Sequence, residues 1–226
     1  MMIDKHDFCM SLLEPIENWL NMNKGMVEIL AGKDAANMVG YDQRNPHHCY
    51  NLMEHSLRTV QGINNRRNFV STSLELLQTA AFYHDIGKPI VAKEQDGRLR
   101  FYNHSKKSAE LAYDILCQQG YDEKEIRLIT FFIAHHDDFI PYVLPWENYD
   151  KNNPHLIEIT QSSIFKHITE GDFSKEKSVW NDLLLLYESD ASAQADKTVI
   201  NGKVINTKEH KLSICAEVKR VLSQIE

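Results

Sequence analysis

An apolar run that ends in an adjacent histidine and aspartate constrains this chain more than any other stretch. Leu77-Gln78-Thr79-Ala80-Ala81-Phe82-Tyr83-His84-Asp85-Ile86-Gly87-Lys88-Pro89 reads as a helix whose last turn carries two ionisable groups. On a helix His84 shares a face with Ala81, Ala80 and Leu77, at offsets of three, four and seven, so its imidazole points into a core. Gly87 and Pro89 are expected to stop the helix, leaving Asp85 and Lys88 near its open end. A buried ionisable group must be paired, hydrogen-bonded or bound to metal, so the rest of the fold has to bring partners to this pair.

The search for partners starts from the bulk properties. With 226 residues, 42% of them hydrophobic, one generous domain can bury a real core. We expect a single unit over 1–226, with a core of 45–194, a helical extension at 1–44 and a hairpin and helix at 195–226. The 25 basic and 32 acidic residues give a formal charge of -7 and are mixed along the chain, so long nucleic acid is not the expected partner. Cys9, Cys49, Cys117 and Cys215 lack a CxxC spacing and read as reduced buried thiols, which fits a cytoplasmic location. The start carries no leader pattern, and no apolar run nears the ~20 residues of a membrane span.

Periodicity then places the elements. Short helices are expected over 1–45, with Pro15 at a first helical position and Phe8, Leu12, Leu13, Ile16, Trp19 and Leu20 as apolar contacts. A helix over 51–65 carries the stripe Leu52, Ser56, Thr59, Val60, Ile63, with His55 on its edge. After the helix of 73–85, the Asp96-Gly97 dipeptide marks a tight hairpin within 90–103. Helices follow over 105–118, closed by Gly120, and 123–136, ending in His135-His136. Residues 139–153 read as loop, 154–170 as a helix, and 180–193 as a helix that places Asp190 on the face of Leu183, Leu186 and Tyr187. Asn201-Gly202 signals a second hairpin, and Thr207 is expected to cap a last helix to about Leu222. The fold class is therefore all-α, a helical bundle with one or two small β-hairpins.

His55, His84, Asp85 and Asp190 thus sit on or near the inward stripes of three separate helices. A lone core histidine is more often a hydrogen-bonded one than a ligand. Several histidines and aspartates at inward faces and helix ends instead suit divalent ions, whose charge the carboxylates offset. His104, His135 and His136 are the candidates for a second ion beside the His84-Asp85 pair.

The order of these residues resembles the His…His-Asp…Asp signature of the HD-domain metal-dependent phosphohydrolase superfamily, an all-helical fold. The likeness is strongest to the HD domain of bacterial tRNA nucleotidyltransferases and poly(A)-polymerase-like proteins. It is carried by Asn45-Pro46-His47-His48, Glu54-His55-Ser56-Leu57, His84-Asp85-Ile86-Gly87-Lys88-Pro89, Asp96-Gly97 ahead of Phe101-Tyr102-Asn103-His104, Ser108-Ala109, His135-His136 and Asp190-Ala191-Ser192-Ala193-Gln194. His104 and His135-His136 also resemble HD-GYP phosphodiesterases, but the Gly-Tyr-Pro element is absent. The span of about 45 residues before the motif is short for a nucleotidyltransferase head, so nucleotide addition to RNA is not expected.

The resemblance implies a first ion held by His55, His84, Asp85 and Asp190, and a second held by Asp85, His104 and one or both of His135 and His136. The ions could be Fe, Mn, Ni, Co, Zn or Mg. They would acidify an attacking water and offset charge on phosphoryl oxygens. Asp85 and Lys88 are the expected catalytic groups, with Lys88 at the mouth of the site as a point charge on phosphate. His48 and Arg44 would meet the substrate from the preceding turn. Lys106 and Lys107 read as a solvated face, and Asp137-Asp138 as loop-capping residues, with outer-shell orientation of a histidine as the lesser alternative. The implied activity is hydrolysis of a small phosphomonoester or phosphodiester, a nucleotide or a 2′,3′-cyclic phosphate. The alternatives are a nucleotide-binding regulatory module with a metal site but little turnover, and an oxygenase built on a related di-iron site.

Overall fold

A computed structural model of the chain describes residues 3–143, 157–170, 173, 176–200 and 203–224. Four short helices come first: α1 Lys5–Ser11, α2 Ile16–Leu20, α3 Lys24–Ala31 and α4 Lys33–Ala36. The long helices are α5 Leu52–Asn65, α6 Leu74–Tyr83, α8 His104–Gln118, α9 Glu123–His135, α10 Gln161–Glu170, α11 Lys177–Ser192 and α12 Thr207–Leu222, with a single turn, α7 Lys88–Val91, after α6. Strands β1 Lys93–Gln95 and β2 Arg98–Arg100 pair antiparallel, as do β5 Thr198–Ile200 and β6 Lys203–Ile205. Strands β3 Tyr142–Val143 and β4 Ile157–Glu158 pair parallel. The protein is mostly helical with small two-stranded sheets, as its periodicity predicts.

Helix α6 is the centre. Every residue from Leu76 to Tyr83 is buried, so it has no solvent face and packs against α5, α9, α11 and α8. Helix α11 is nearly as enclosed, with Trp180 and Leu183 through Tyr187 all inside. The amphipathic stripe of α5 falls as expected, and Leu52, Ser56, Thr59, Val60, Ile63 and also His55 are buried. Local caps fix the starts: Asn51 Oδ1 accepts from the Glu54 N–H, and Asp122 forms a capping box with Glu125. Asp96 (φ 52°) and Gly97 (φ 72°) give the β1–β2 hairpin the two positive-φ positions of a type I′ turn.

Several boundaries differ from the sequence reading. Pro15 and Asn206 are the cap residues preceding α2 and α12, so Thr207 is helical rather than the cap. Leu13 and Leu20 are about half exposed, and Cys49 and Cys117 are exposed free thiols. Helix α10 begins only at Gln161, and β3 and β4 pair on either side of residues 144–156, which lie outside the described residues, as does the Asn201-Gly202 turn. Gly87 and Pro89 do not end a helix; they open one. Helix α6 ends at Tyr83, a tight turn carries His84 and Asp85, and α7 starts at Lys88 with Pro89 in its first turn, where the missing N–H costs nothing.

One buried carboxylate holds the approach to α6. Asp182 Oδ1 accepts from the Ser71 N–H at 2.8 Å, and its Oδ2 accepts from the Thr72 N–H at 2.8 Å and the Thr72 hydroxyl at 2.7 Å. Asp182→Ala strands two N–H groups and is expected to destabilise the fold by about 3 kcal/mol. A chemical denaturation midpoint shifted by that amount, with the folded fraction still active, is the expected result.

Candidate metal centre

Five elements converge on the turn after α6. His55 comes from α5, His84 and Asp85 from the turn itself, His104 from the first residue of α8, His136 from just past the end of α9, and Asp190 from the last turn of α11. All but His104 are buried, and His104 is nearly so.

Asp85 sits between two pairs of imidazoles and offers one oxygen to each. Its Oδ2 lies 3.4 Å from His55 Nε2 and 3.2 Å from His84 Nε2, while its Oδ1 lies 3.1 Å from His104 Nε2 and 3.7 Å from His136 Nε2. Asp190 Oδ1 closes the first side at 2.9 Å from His55 Nε2 and 3.7 Å from His84 Nε2. His55, His84 and Asp85 form one compact group able to hold a metal ion; Asp85, His104 and His136 form another.

The outer contacts of the four histidines repeat. Nδ1 of His55 meets the Ala193 carbonyl at 3.1 Å, that of His84 the Ala81 carbonyl at 2.8 Å, that of His104 the Phe101 carbonyl at 2.9 Å, and that of His136 the Ile133 carbonyl at 2.7 Å. A carbonyl oxygen can only accept, so each Nδ1 carries a hydrogen, and each ring, when neutral, turns the lone pair of Nε2 inward. This is the outer contact that orients imidazoles toward a metal. Among the described residues, His55 Nε2, His84 Nε2 and Asp85 Oδ1 are buried without a well-aligned hydrogen bond. Orphaned nitrogen and oxygen donors of this kind fit a divalent cation.

The electrostatics agree with the donor set. Burial alone would lower His84 and His104, yet the carboxylates beside them push His84 up to about 10 and His104 up to about 9. His55 is raised against its burial by Asp190 and Asp85. Burial would raise Asp85 and Asp190 in turn, but the neighbouring imidazoles and, for Asp85, Lys88 hold both well below the usual carboxylate range. A field that draws a proton to those Nε2 atoms draws a metal cation to the same place.

Two of the expected site residues stand elsewhere, and a third is seated deeper than expected. His135 turns away: its Nδ1 pairs with Asp138 Oδ2 at 2.6 Å, and its ring rests on Phe131 at 4.5 Å between centroids. Arg44 is engaged with Glu94 at 2.8 Å, where it ties the 42–45 turn to β1. Lys88 is not at the mouth. It lines the cavity but is only 4% exposed, with Nζ 2.6 Å from Asp85 Oδ2 and 3.0 Å from Gln43 Oε1. His48 does reach the cavity; burial and the charge of Lys88 hold its pKa well down, so it presents a neutral ring. Lys107 pairs with Glu110, in keeping with a solvated face.

Two residues matter more here than their sequence suggests. Asp137 Oδ2 lies 3.0 Å from His104 Nε2, and its Oδ1 lies 3.5 Å from His136 Nε2, so it faces the second group directly rather than capping a loop. Gln194 donates from Nε2 to both oxygens of Asp190, at 3.2 and 3.1 Å. Its spacing of four residues from Asp190 was the available signal. Gln194→Ala frees that carboxylate to rotate and is expected to weaken metal binding by roughly 10–100-fold, measurable by competition with a chelating dye.

No curated protein matches the chain. The HD domain family matches residues 47–173, a span that contains His55, His84, Asp85, His104, His136 and Asp137 and ends before Asp190. HD domains are in general metal-dependent phosphohydrolases. With more than half of its length in that match, and a buried His/Asp cluster able to hold a metal within it, the chain belongs to the HD domain family.

Proposed function

We propose that the protein is a metal-dependent phosphohydrolase acting on a small phosphate ester, a nucleotide monophosphate or a 2′,3′-cyclic phosphate, with residues 1–226 forming one HD-type unit. The observation that carries this reading is the position of Asp85, one oxygen toward His55 and His84 and the other toward His104 and His136. In this reading His55, His84, Asp85 and Asp190 hold one cation, and Asp85, His104, His136 and Asp137 hold a second. Such ions, when bound, supply an activated water and neutralise charge on the phosphoryl oxygens.

The chain's own residues do the rest. Lys88 fixes Asp85 through its ammonium group and offsets part of the negative charge of the three aspartates. A cavity of about 600 Å³ opens over the cluster, lined by His48, Asp85, His104, His136 and Asp190, which is the scale of a small-molecule site. His48 offers an uncharged imidazole to the substrate side of the cavity. Hydrolysis adds water across one P–O ester bond, and the products are an alcohol and a phosphate group; for a cyclic ester, the ring opens to a phosphomonoester.

The test is purified protein, supplied with each divalent ion in turn, on a panel of nucleoside monophosphates, 2′,3′-cyclic nucleotides and simple phosphomonoesters. Metal-dependent turnover that a chelator abolishes is expected on at least one class. Tight nucleotide binding without turnover of any of them would favour a regulatory module instead.

A further inference from the structure

The cavity over the metal centre carries a second charged feature that the ligand set does not use. Arg100 of β2 and Lys211 of α12 both line it, with His47 near both. The two come from separate elements, one on the β1–β2 hairpin and one on a helix that follows the HD match at 47–173. The carbonyl of His47 accepts from the Ala195 N–H at 3.0 Å, and its Nδ1 lies 3.3 Å from Thr198 Oγ1, so the segment leading to α12 is tied to this edge of the cavity.

Among the described residues neither cation makes a salt bridge, although Lys211 stands near enough to Asp190 to help hold its pKa down. Arg44, one strand away, is paired with Glu94, but among the described residues Arg98 and Arg100 have no carboxylate partner. Arg100 Nε is buried and makes no hydrogen bond. Lys211 Nζ is held by an uncharged group, Gln194 Oε1, at 2.8 Å. In a chain of net charge -7, two such cations on the lining of one cavity, with Arg98 near the same edge, are a local reversal of sign. His47 registers the reversal: after burial, the largest influences lowering its pKa are Lys211, Arg100 and Arg98.

We propose that Arg100 and Lys211 form an anion subsite that takes a second phosphate group of the substrate, remote from the one hydrolysed, so that bisphosphorylated small molecules are favoured over monophosphates. This rests on the phosphohydrolase reading for the first phosphate only; the subsite itself is a binding claim. Arg100 presents a planar fork to phosphate oxygens, and Lys211 a point charge.

The test compares adenosine 5′-monophosphate with adenosine 3′,5′-bisphosphate as probes, by calorimetric titration and by turnover, on the wild type, Arg100→Gln, Lys211→Met and Arg100→Lys. The wild type is expected to bind the bisphosphate at least about tenfold more tightly. Arg100→Gln and Lys211→Met should each cut that ratio by about the same factor, while Arg100→Lys retains more of it. The ratio is the readout because Lys211 also supports Gln194, and a general loss would lower both affinities together. Equal wild-type affinities, or variants that leave the ratio unchanged, overturn the subsite even if metal-dependent turnover is found. A preserved ratio effect in binding, with no turnover on any substrate, removes the phosphohydrolase reading and leaves the subsite. Unchanged thermal melting of Arg100→Lys confirms that the hairpin is folded.

Discussion

Asp85→Ala is expected to lower metal-dependent turnover by on the order of 10³-fold or more and to remove the binding of both ions, because one carboxylate serves both groups of histidines. The loss should exceed that of His55→Ala or His136→Ala, each of which touches one group only. Stability has to be separated from chemistry here. Asp85 is the partner of Lys88 at 2.6 Å, and removing it strands a buried cation, at a cost of about 3–5 kcal/mol. Asp85→Asn keeps the shape and can still accept from Lys88, so it should fold better than the alanine variant. Its amide nitrogen is no ligand, and its turnover should be as low as that of Asp85→Ala. Metal content by plasma emission, measured on both variants beside turnover, checks the prediction. Full activity in a folded Asp85→Asn would contradict it.

The second large effect is expected at a residue with no polar atom in its side chain. Gly87 lies where α8 crosses the turn after α6, and an added Cβ would stand 2.7 Å from the Ser108 N atom and 3.0 Å from the His104 carbonyl oxygen. Those are backbone atoms, so the neighbour cannot swing aside. The Gly87 N–H also donates to Ser108 Oγ at 2.9 Å, which pins the crossing. Gly87→Ala is expected to cost about 1–3 kcal/mol through overpacking. It should also push the first turn of α8, and His104 with it, away from Asp85, lowering activity by roughly 10–100-fold. Thermal melting and the affinity for the second ion should therefore fall together. A variant with normal melting and normal stoichiometry would show that the contact is not needed.

Much of this arrangement was legible in the sequence, because a buried helix writes its inner face at offsets of three and four. His55, His84 and Asp190 follow Leu52, Ala81 and Leu186 in that way, and the structure brings all three together. The same rule separates His135 from His136. Ile129, Phe132 and Ile133 lead to His136, whereas His135 continues the face of Phe131, on which it rests. Treating the two as interchangeable ignored a rotation of about 100° between neighbours on a helix.

The residues outside regular elements were less legible. Asp137 follows the end of α9, where no period applies, and only the fold shows it turning back onto His104. The Gly87-Lys88-Pro89 string reads equally well as a stop and as a start. Pro89 suits the first turn of α7, and Lys88 at its start is held against Asp85 rather than out at the mouth. Lys211 could not be linked to the site from sequence at all, since its approach depends on how the segment after α11 packs on the turn at His47.

The central claim is that Asp85 is shared between two ions. A crystal structure of the protein grown with manganese, with anomalous data collected above and below the manganese edge, tests it most directly. The account predicts two anomalous peaks about 3.5–4 Å apart, one beside His55, His84 and Asp190 and the other beside His104, His136 and Asp137, with Asp85 touching both. A single peak that Asp85 does not contact, or no peak at this cluster, would contradict it.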